Sequence, residues 1–262
     1  MARLVTDVQP GDAEISVYLL LNRRQLKQRD LFICESLPAI ESALEAGITP
    51  VSFLMEKRHV TGKAARLLER LPDIDVYAPG DEVIKDICGM ELSRGVLCAM
   101  KRPPEKRPED VLTGAKRVAV LEDVRDDTNM GAIFRNAAAL GMDALLLTRG
   151  SADPYSRRSV RVSMGAVFRL PFAFVPAADA SFMALLRQSG FERVALALKK
   201  DSVEIGAVRA EKIAFFLGNE GEGLKEETVG MCDRCAVIPM ARGVDSLNVA
   251  TAAAIAFYLS QK

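Results

Sequence analysis

The sequence predicts an α/β protein in which apolar strands alternate with amphipathic helices, and three observations carry that prediction. The second half holds six short apolar runs, "RVAVLEDV", "ALLLT", "FAFV", "RVALAL", "IAFFLG" and "AVIPM". Runs that short and that continuously apolar suit parallel strands covered on both faces. Helical stretches such as "GAIFRNAAALG" and "SFMALLRQSG" separate them. Between the halves, "MKRPPEKRPED" at 100 to 110 gathers three prolines and several charges, which excludes regular helix and sheet and marks a linker.

Taken in order, the first half alternates in the same way. "SVYLLLNRRQL" is expected as a helix, "DLFICES" as a strand, "LPAIESALEAG" as a helix with apolar residues three and four apart, and "TPVSFLME" as a strand. "HVTGKAARLLERLP", "IDVYAP", "DEVIKDICG" and "GVLCAMK" continue the pattern. The expected organisation is a small α/β domain over 1–100, a linker over 101–110 and a larger parallel-sheet domain over 111–262.

Composition narrows the function classes. The 262 residues hold 35 Lys+Arg against 35 Asp+Glu, so nucleic acid would have to be met by local patches rather than by a global positive field. No apolar run approaches the roughly 20 residues of a membrane span. "MARLVTDVQPGD" lacks the apolar core of a signal peptide, and a cytoplasmic protein without membrane contact is expected. Cys34, Cys88, Cys98, Cys232 and Cys235 are scattered and odd in number, unlike a disulfide framework. Only "CDRC" has ligand-like spacing, and His59, the sole histidine, lies in the other half, so no metal site is expected. The residues around His59, "EKRHVTGK", look like a polar surface loop, which also leaves no Ser-His-Asp triad.

In a parallel sheet the loops after the strands bind ligands, and three of these are unusual. "LEDVRDDTNMGAIFRNAAALG" ends a strand at Val124 and opens a helix with Asn129 and Gly131, placing Arg135 about one and a half turns later. Asn129 could be a helix cap and Arg135 a solvated residue, or both could serve a site. "LGNEGEGL" delivers the carboxylate of Glu220 among glycines that permit close approach to backbone, or it is a plain strand-to-helix turn. Its order, Gly218, Gly221, Gly223, reverses the dinucleotide fingerprint, no acid stands about 20 residues on, and no Gly-Lys-Ser/Thr follows. That counts against a nicotinamide-dependent oxidoreductase. "IPMARGVDSLNVATAAAIAFYL" offers Asp245 or Ser246 as the cap of an alanine-rich helix, with Asn248 in its first turn.

In this order, the N-x-G-x-x-x-R of Asn129, Gly131 and Arg135, then "GNEGEG", then "IPM" followed by "SLNVA", resemble the three signature motifs of the SpoU/TrmH family, in the SPOUT superfamily, of RNA ribose 2'-O-methyltransferases. "SVRVSMGAVFRLPF" is similar to a linking segment of that family, and Ala250 stands where members often carry a second serine. The resemblance implies a C-terminal trefoil-knotted fold, S-adenosylmethionine as methyl donor, a homodimer with sites near its interface, and transfer or ribosomal RNA as substrate. It implies catalytic roles for Asn129, Arg135, Glu220, Ser246 and Asn248, and cofactor contacts from Leu217, Gly218, Asn219, Gly221, Ile238, Met240 and Leu247. The first half resembles the ribosomal-protein-like RNA-binding domain that precedes the catalytic domain in many members, with Arg23, Arg24, Lys27 and Arg29 as its densest basic cluster. A non-catalytic RNA-binding protein of the same fold is the alternative.

Overall fold

The computed structural model describes residues 2–19, 23–88, 95–199, 201–244 and 246–261, and the side chains of Arg23, Arg24 and Gln25 also lie outside the description. The chain divides into two units, Met1–Pro103 with Tyr155–Phe168, and Pro104–Pro154 with Arg169–Lys262.

In the first unit the β-branched and aromatic runs become β1 (Arg3–Val5), β2 (Leu31–Glu35), β3 (Pro50–Met55), β4 (Asp75–Tyr77) and β5 (Val96–Lys101). They form one sheet in the order β1-β4-β3-β5-β2, in which β5 runs antiparallel to both its neighbours. The helix Leu37–Glu45 forms where apolar residues recur at helical spacing, and it buries Ala39, Ile40 and Ala43. The helix Arg157–Ser163 packs on β2. There the fully buried Glu35 accepts from Arg157 Nε at 2.9 Å and lies 3.6 Å from Arg161 Nη1, pairing that lets a carboxylate survive burial. Tyr155 stacks on Phe32 with ring centroids 5.0 Å apart.

Two local expectations change in this unit. "SVYLLLNRRQL" is not one helix: a 3₁₀ turn covers Ala13–Tyr18, an α-helix covers Arg23–Gln28, and Leu20, Leu21 and Asn22 lie outside the described residues. The buried residues of the turn, Ile15 and Tyr18, are three apart, the 3₁₀ repeat rather than the α repeat. His59 is not in a polar surface loop but in the short helix Lys57–Val60, half-buried, with Nε2 3.5 Å from Glu56 Oε2. Of the basic cluster, Lys27 and Arg29 are exposed, and Arg29 Nη1 donates to Ser16 Oγ at 3.2 Å.

The second unit holds β6 (Arg117–Leu121), β7 (Ala144–Thr148), β8 (Phe172–Val175), β9 (Glu192–Leu196), β10 (Val203–Glu204), β11 (Ile213–Leu217) and β12 (Arg234–Val237). All pairs are parallel, in the order β10-β12-β9-β11-β6-β7-β8. The central strands are buried on both faces, and Phe215 and Phe216 of β11 point to opposite sides, each burial contributing about 1.5–3 kcal/mol. β1 and β10, of three and two residues, are too short to leave a periodic signal. The proline-rich stretch does admit structure, since Pro108 begins the helix Pro108–Leu112 at its first turn, where its missing N–H costs nothing. Among the described residues no helix is long and apolar enough to cross a membrane. Because neighbouring strands are parallel and in register, with Leu121 beside Leu217, their carboxyl ends open on one edge of the sheet.

Candidate active site

A cavity of about 610 Å³ opens at that edge, walled by the ends of β9, β11 and β12, the loop after β11, and the start of the helix Val249–Leu259. Asn129, Leu217, Gly218, Asn219, Glu220, Gly221, Ile238, Met240, Ser246, Leu247 and Asn248 line it. Arg135 does not.

The loop after β11 is folded by its own asparagine. Asn219 Oδ1 accepts from the N–H groups of Gly221 (2.9 Å) and Glu222 (3.2 Å), while the Asn219 and Gly223 backbones exchange two bonds of 3.0 Å. Gly218 is glycine for a reason internal to the chain: a Cβ there would overlap the Gly223 carbonyl and the Leu224 nitrogen. The sequence reading assigned the space to an approaching ligand. The structure fills it with the returning backbone of the same loop.

Glu220 is held rather than loose. Its Oε1 accepts from Asn129 Nδ2 at 3.0 Å and from the Asp126 N–H at 3.2 Å, and its Oε2 from the Arg125 N–H at 3.2 Å. Burial pushes this carboxyl up, but those hydrogen bonds outweigh it and hold the group below the usual glutamate range. Glu220 is therefore an anion at neutral pH and an acceptor already engaged. Asn129 in turn accepts from Asn248 Nδ2 at 2.9 Å, so Glu220, Asn129 and Asn248 form one hydrogen-bonded line along the cavity.

Both helix starts differ from the sequence reading. Asp126, not Asn129, caps the helix Asp127–Ala139, accepting from the N–H groups of Thr128 and Asn129, each at 2.8 Å. Asn248, not Ser246, caps the helix Val249–Leu259, accepting from Ala250 (3.0 Å) and Thr251 (3.3 Å). Ser246 is exposed on the cavity wall, and Asp245 lies outside the described residues. In each case a side chain of cap-forming type stands nearer the first helical residue than the candidates the sequence offers.

Arg135 is exposed, and six residues of helix rotate it about 120° away from Asn129. It has no hydrogen-bond or ion-pair partner among the described residues. Sequence reasoning also passed over Asp123, at a positive φ of 55°, whose carboxylate meets Thr148 and Lys225. An acidic pair, Glu122 and Asp123, straight after an apolar run and before a turn was the available signal. Among the described residues no group of three or more His, Cys, Asp and Glu could hold a metal ion, and all five cysteines are free.

The SpoU rRNA Methylase family model matches residues 116–258. An uncharacterised tRNA/rRNA methyltransferase of Mycobacterium tuberculosis is 40% identical over 235 residues, covering 87% of this chain and 80% of that one. The 23S rRNA (guanosine(2553)-2'-O)-methyltransferase RlmP of Bacillus subtilis is 32% identical over 240 residues, 91% of this chain and 92% of its own. The solved SpoU methyltransferase AviRb of Streptomyces viridochromogenes is similar with a TM-score of 0.81 at 26% identity, covering 95% of this chain and 96% of that one. AviRb has also been solved in complex with the cofactor AdoMet.

Proposed function

Because this chain belongs to the SpoU rRNA methylase family, whose members are S-adenosylmethionine-dependent tRNA/rRNA methyltransferases, we propose that it methylates a ribose 2'-hydroxyl of transfer or ribosomal RNA. The observation that carries the reading is the cavity, in which an apolar wall meets a fixed line of polar side chains at one edge. Its size suits a ligand of nucleoside dimensions. Leu196, Leu217, Ile238 and Leu247 offer apolar surface to the donor's adenosine, and Gly218, Asn219, Gly221 and Met240 close around it. When bound, S-adenosylmethionine supplies an electrophilic methyl group on a sulfonium sulfur.

The chain's own residues must then place a ribose hydroxyl and stabilise the negative charge that grows on its oxygen. Asn129 and Asn248 orient the ribose from the polar edge, Glu220 holds Asn129 in place, and Ser246 contributes a hydroxyl at the start of the last helix. Arg135 acts as a fixed cation for the developing alkoxide and the neighbouring phosphate. A guanidinium stays protonated in proteins, so the proton leaves to phosphate or water.

Arg135 stands outside the cavity of its own chain, and for that reason the reading includes a homodimer, in which a second copy brings an arginine to each cavity. It also includes the trefoil knot: β12, the last strand in sequence, lies inside the sheet between β9 and β10. The first unit is assigned to RNA recruitment, through exposed cations such as Lys27 and Arg29. The reaction is placed in the cytoplasm with its RNA.

The test is methyl transfer from labelled S-adenosylmethionine to transfer and ribosomal RNA, with the modified position mapped in cells with and without the gene. A 2'-O-methyl group that disappears with the gene is the expected result. Transfer to a base, or no transfer with a folded protein, overturns it.

A further inference from the structure

One residue, Asp123, meets the loop that walls the cavity near both of its ends, beside the buried Glu122, whose Oε2 accepts from the Lys225 N–H at 2.9 Å. Asp123 follows β6 in the left-handed region, at φ 55°, which Asp and Asn tolerate better than other side chains. This turn aims its backbone carbonyl at Asn219, whose Nδ2 donates to it at 2.8 Å, near the start of the loop. Its carboxylate faces the other way. Oδ2 lies 3.0 Å from Lys225 Nζ, just past the loop's end, and Oδ1 accepts from Thr148 Oγ1 at 2.7 Å, at the end of β7. The Asp123 N–H donates back to the same Thr148 oxygen at 2.9 Å. Gly150 makes room for the arrangement, because a Cβ at that position would overlap Asp123 Oδ1. None of Asp123, Thr148, Gly150 and Lys225 lines the cavity.

We infer that Asp123 is a positioning residue for the methyl-donor wall: it fixes the loop 217–224 against β6 and β7 and thereby sets affinity for the donor without touching donor or RNA. The inference rests on the donor-site reading above. Asn219 folds the loop internally, Glu220 ties its middle to Arg125, Asp126 and Asn129, and Asp123 holds its two ends together with Glu122. A loop released at either end closes less often around its ligand, which lowers affinity by the fraction of time spent out of position. The Asp123–Lys225 pair is partly exposed, with side chains 17% and 59% accessible, so its own share is modest.

The experiment measures the dissociation constant for S-adenosylhomocysteine by calorimetry, and donor KM, RNA KM and kcat in the transfer assay. The variants are Asp123→Asn, Asp123→Ala, Lys225→Met, the double variant Asp123→Asn with Lys225→Met, and Gly150→Ala. Lys225→Met and Asp123→Asn each raise the dissociation constant about threefold, and the double variant is no worse than either, since both remove one interaction. Asp123→Ala loses the Thr148 bond and the tolerant backbone as well and weakens binding about tenfold. Gly150→Ala displaces the carboxylate without altering a charge and follows Lys225→Met, which keeps the inference testable if Asp123→Ala does not fold. Donor KM moves with these constants, whereas RNA KM does not, and kcat falls by less than KM rises. A loss of stability alone would leave the affinity of the folded fraction unchanged. Variants that bind like the wild type, or that lose kcat with donor KM unchanged, overturn the inference. If the wild type itself binds no S-adenosylhomocysteine, the donor-site reading falls and this inference with it.

Discussion

Two helices begin at the cavity, each with an asparagine in the polar line, and they use that asparagine in opposite ways. In the helix Asp127–Ala139 the capping task belongs to Asp126, and Asn129, one turn in, gives its side chain wholly to Glu220 and Asn248. In the helix Val249–Leu259 one residue does both jobs, since Asn248 caps with its oxygen and bonds Asn129 with its nitrogen. The first helix separates stability from the site, whereas the second couples them. A cap contributes about 1 kcal/mol, so the coupling is large enough to measure.

The largest expected effect lies on the uncoupled helix. Arg135→Ala should lower the transfer rate on the order of a hundredfold or more, while melting temperature and donor affinity stay at wild-type values. A parallel loss of donor affinity would move Arg135 from the RNA side to the donor side.

Next come the two asparagines. Asn129→Ala should cost about tenfold in transfer rate, the loss of one hydrogen bond to a charged partner, yet change stability by less than about 0.5 kcal/mol. Asn248→Ala should cost a similar factor and also about 1 kcal/mol, seen as a fall of roughly 2–4 °C in melting temperature. Asn248→Asp sharpens the contrast, because a carboxylate caps well but cannot donate to Asn129: melting temperature is kept while the rate still falls about tenfold. Equal melting losses at 129 and 248 would erase the distinction.

Asp126→Ala is the mirror experiment. Removing this cap should cost about 1 kcal/mol in denaturant unfolding and change the rate by less than Asn129→Ala does.

The smallest effect is on the acid limb. Hydrogen bonds hold the folded Glu220 carboxyl below its ordinary range, so its contribution is present in full above the unfolded value and is lost as pH falls through the depressed folded value. Unfolding followed across the acid range should therefore be less steep for Glu220→Gln than for the wild type. An unchanged slope would show that the unfolded chain holds this carboxyl equally low.

The elements that were legible in sequence are those whose signal is local. β6, β7, β8, β9, β11 and β12 are short apolar runs in the sequence, and the site candidates it offers come from the loops after β6, β11 and β12. What was not legible depends on meetings across the chain. Asp126 and Asn248 as caps follow from which of several polar neighbours sits first in the turn, a choice that sequence spacing leaves open. Asp123 needs Thr148, Lys225 and Asn219 to acquire meaning, and these stand 25, 102 and 96 positions away. The placement of Tyr155–Phe168 was equally hidden, since its helix has the same pattern whichever sheet it covers.

That segment bears on how such proteins can be recombined. The first unit is not a contiguous cassette, because it is completed by fourteen residues that lie inside the stretch matched by the methylase model. Grafting the leading hundred residues of one relative onto the remainder of another would join a foreign sheet to the resident helix and leave Glu35 facing a stranger's Arg157. A chimera that exchanges both pieces together keeps the buried pair and the Phe32–Tyr155 stack within one parent. The inheritable module is thus defined by packing, with its two halves written in separate places along the gene.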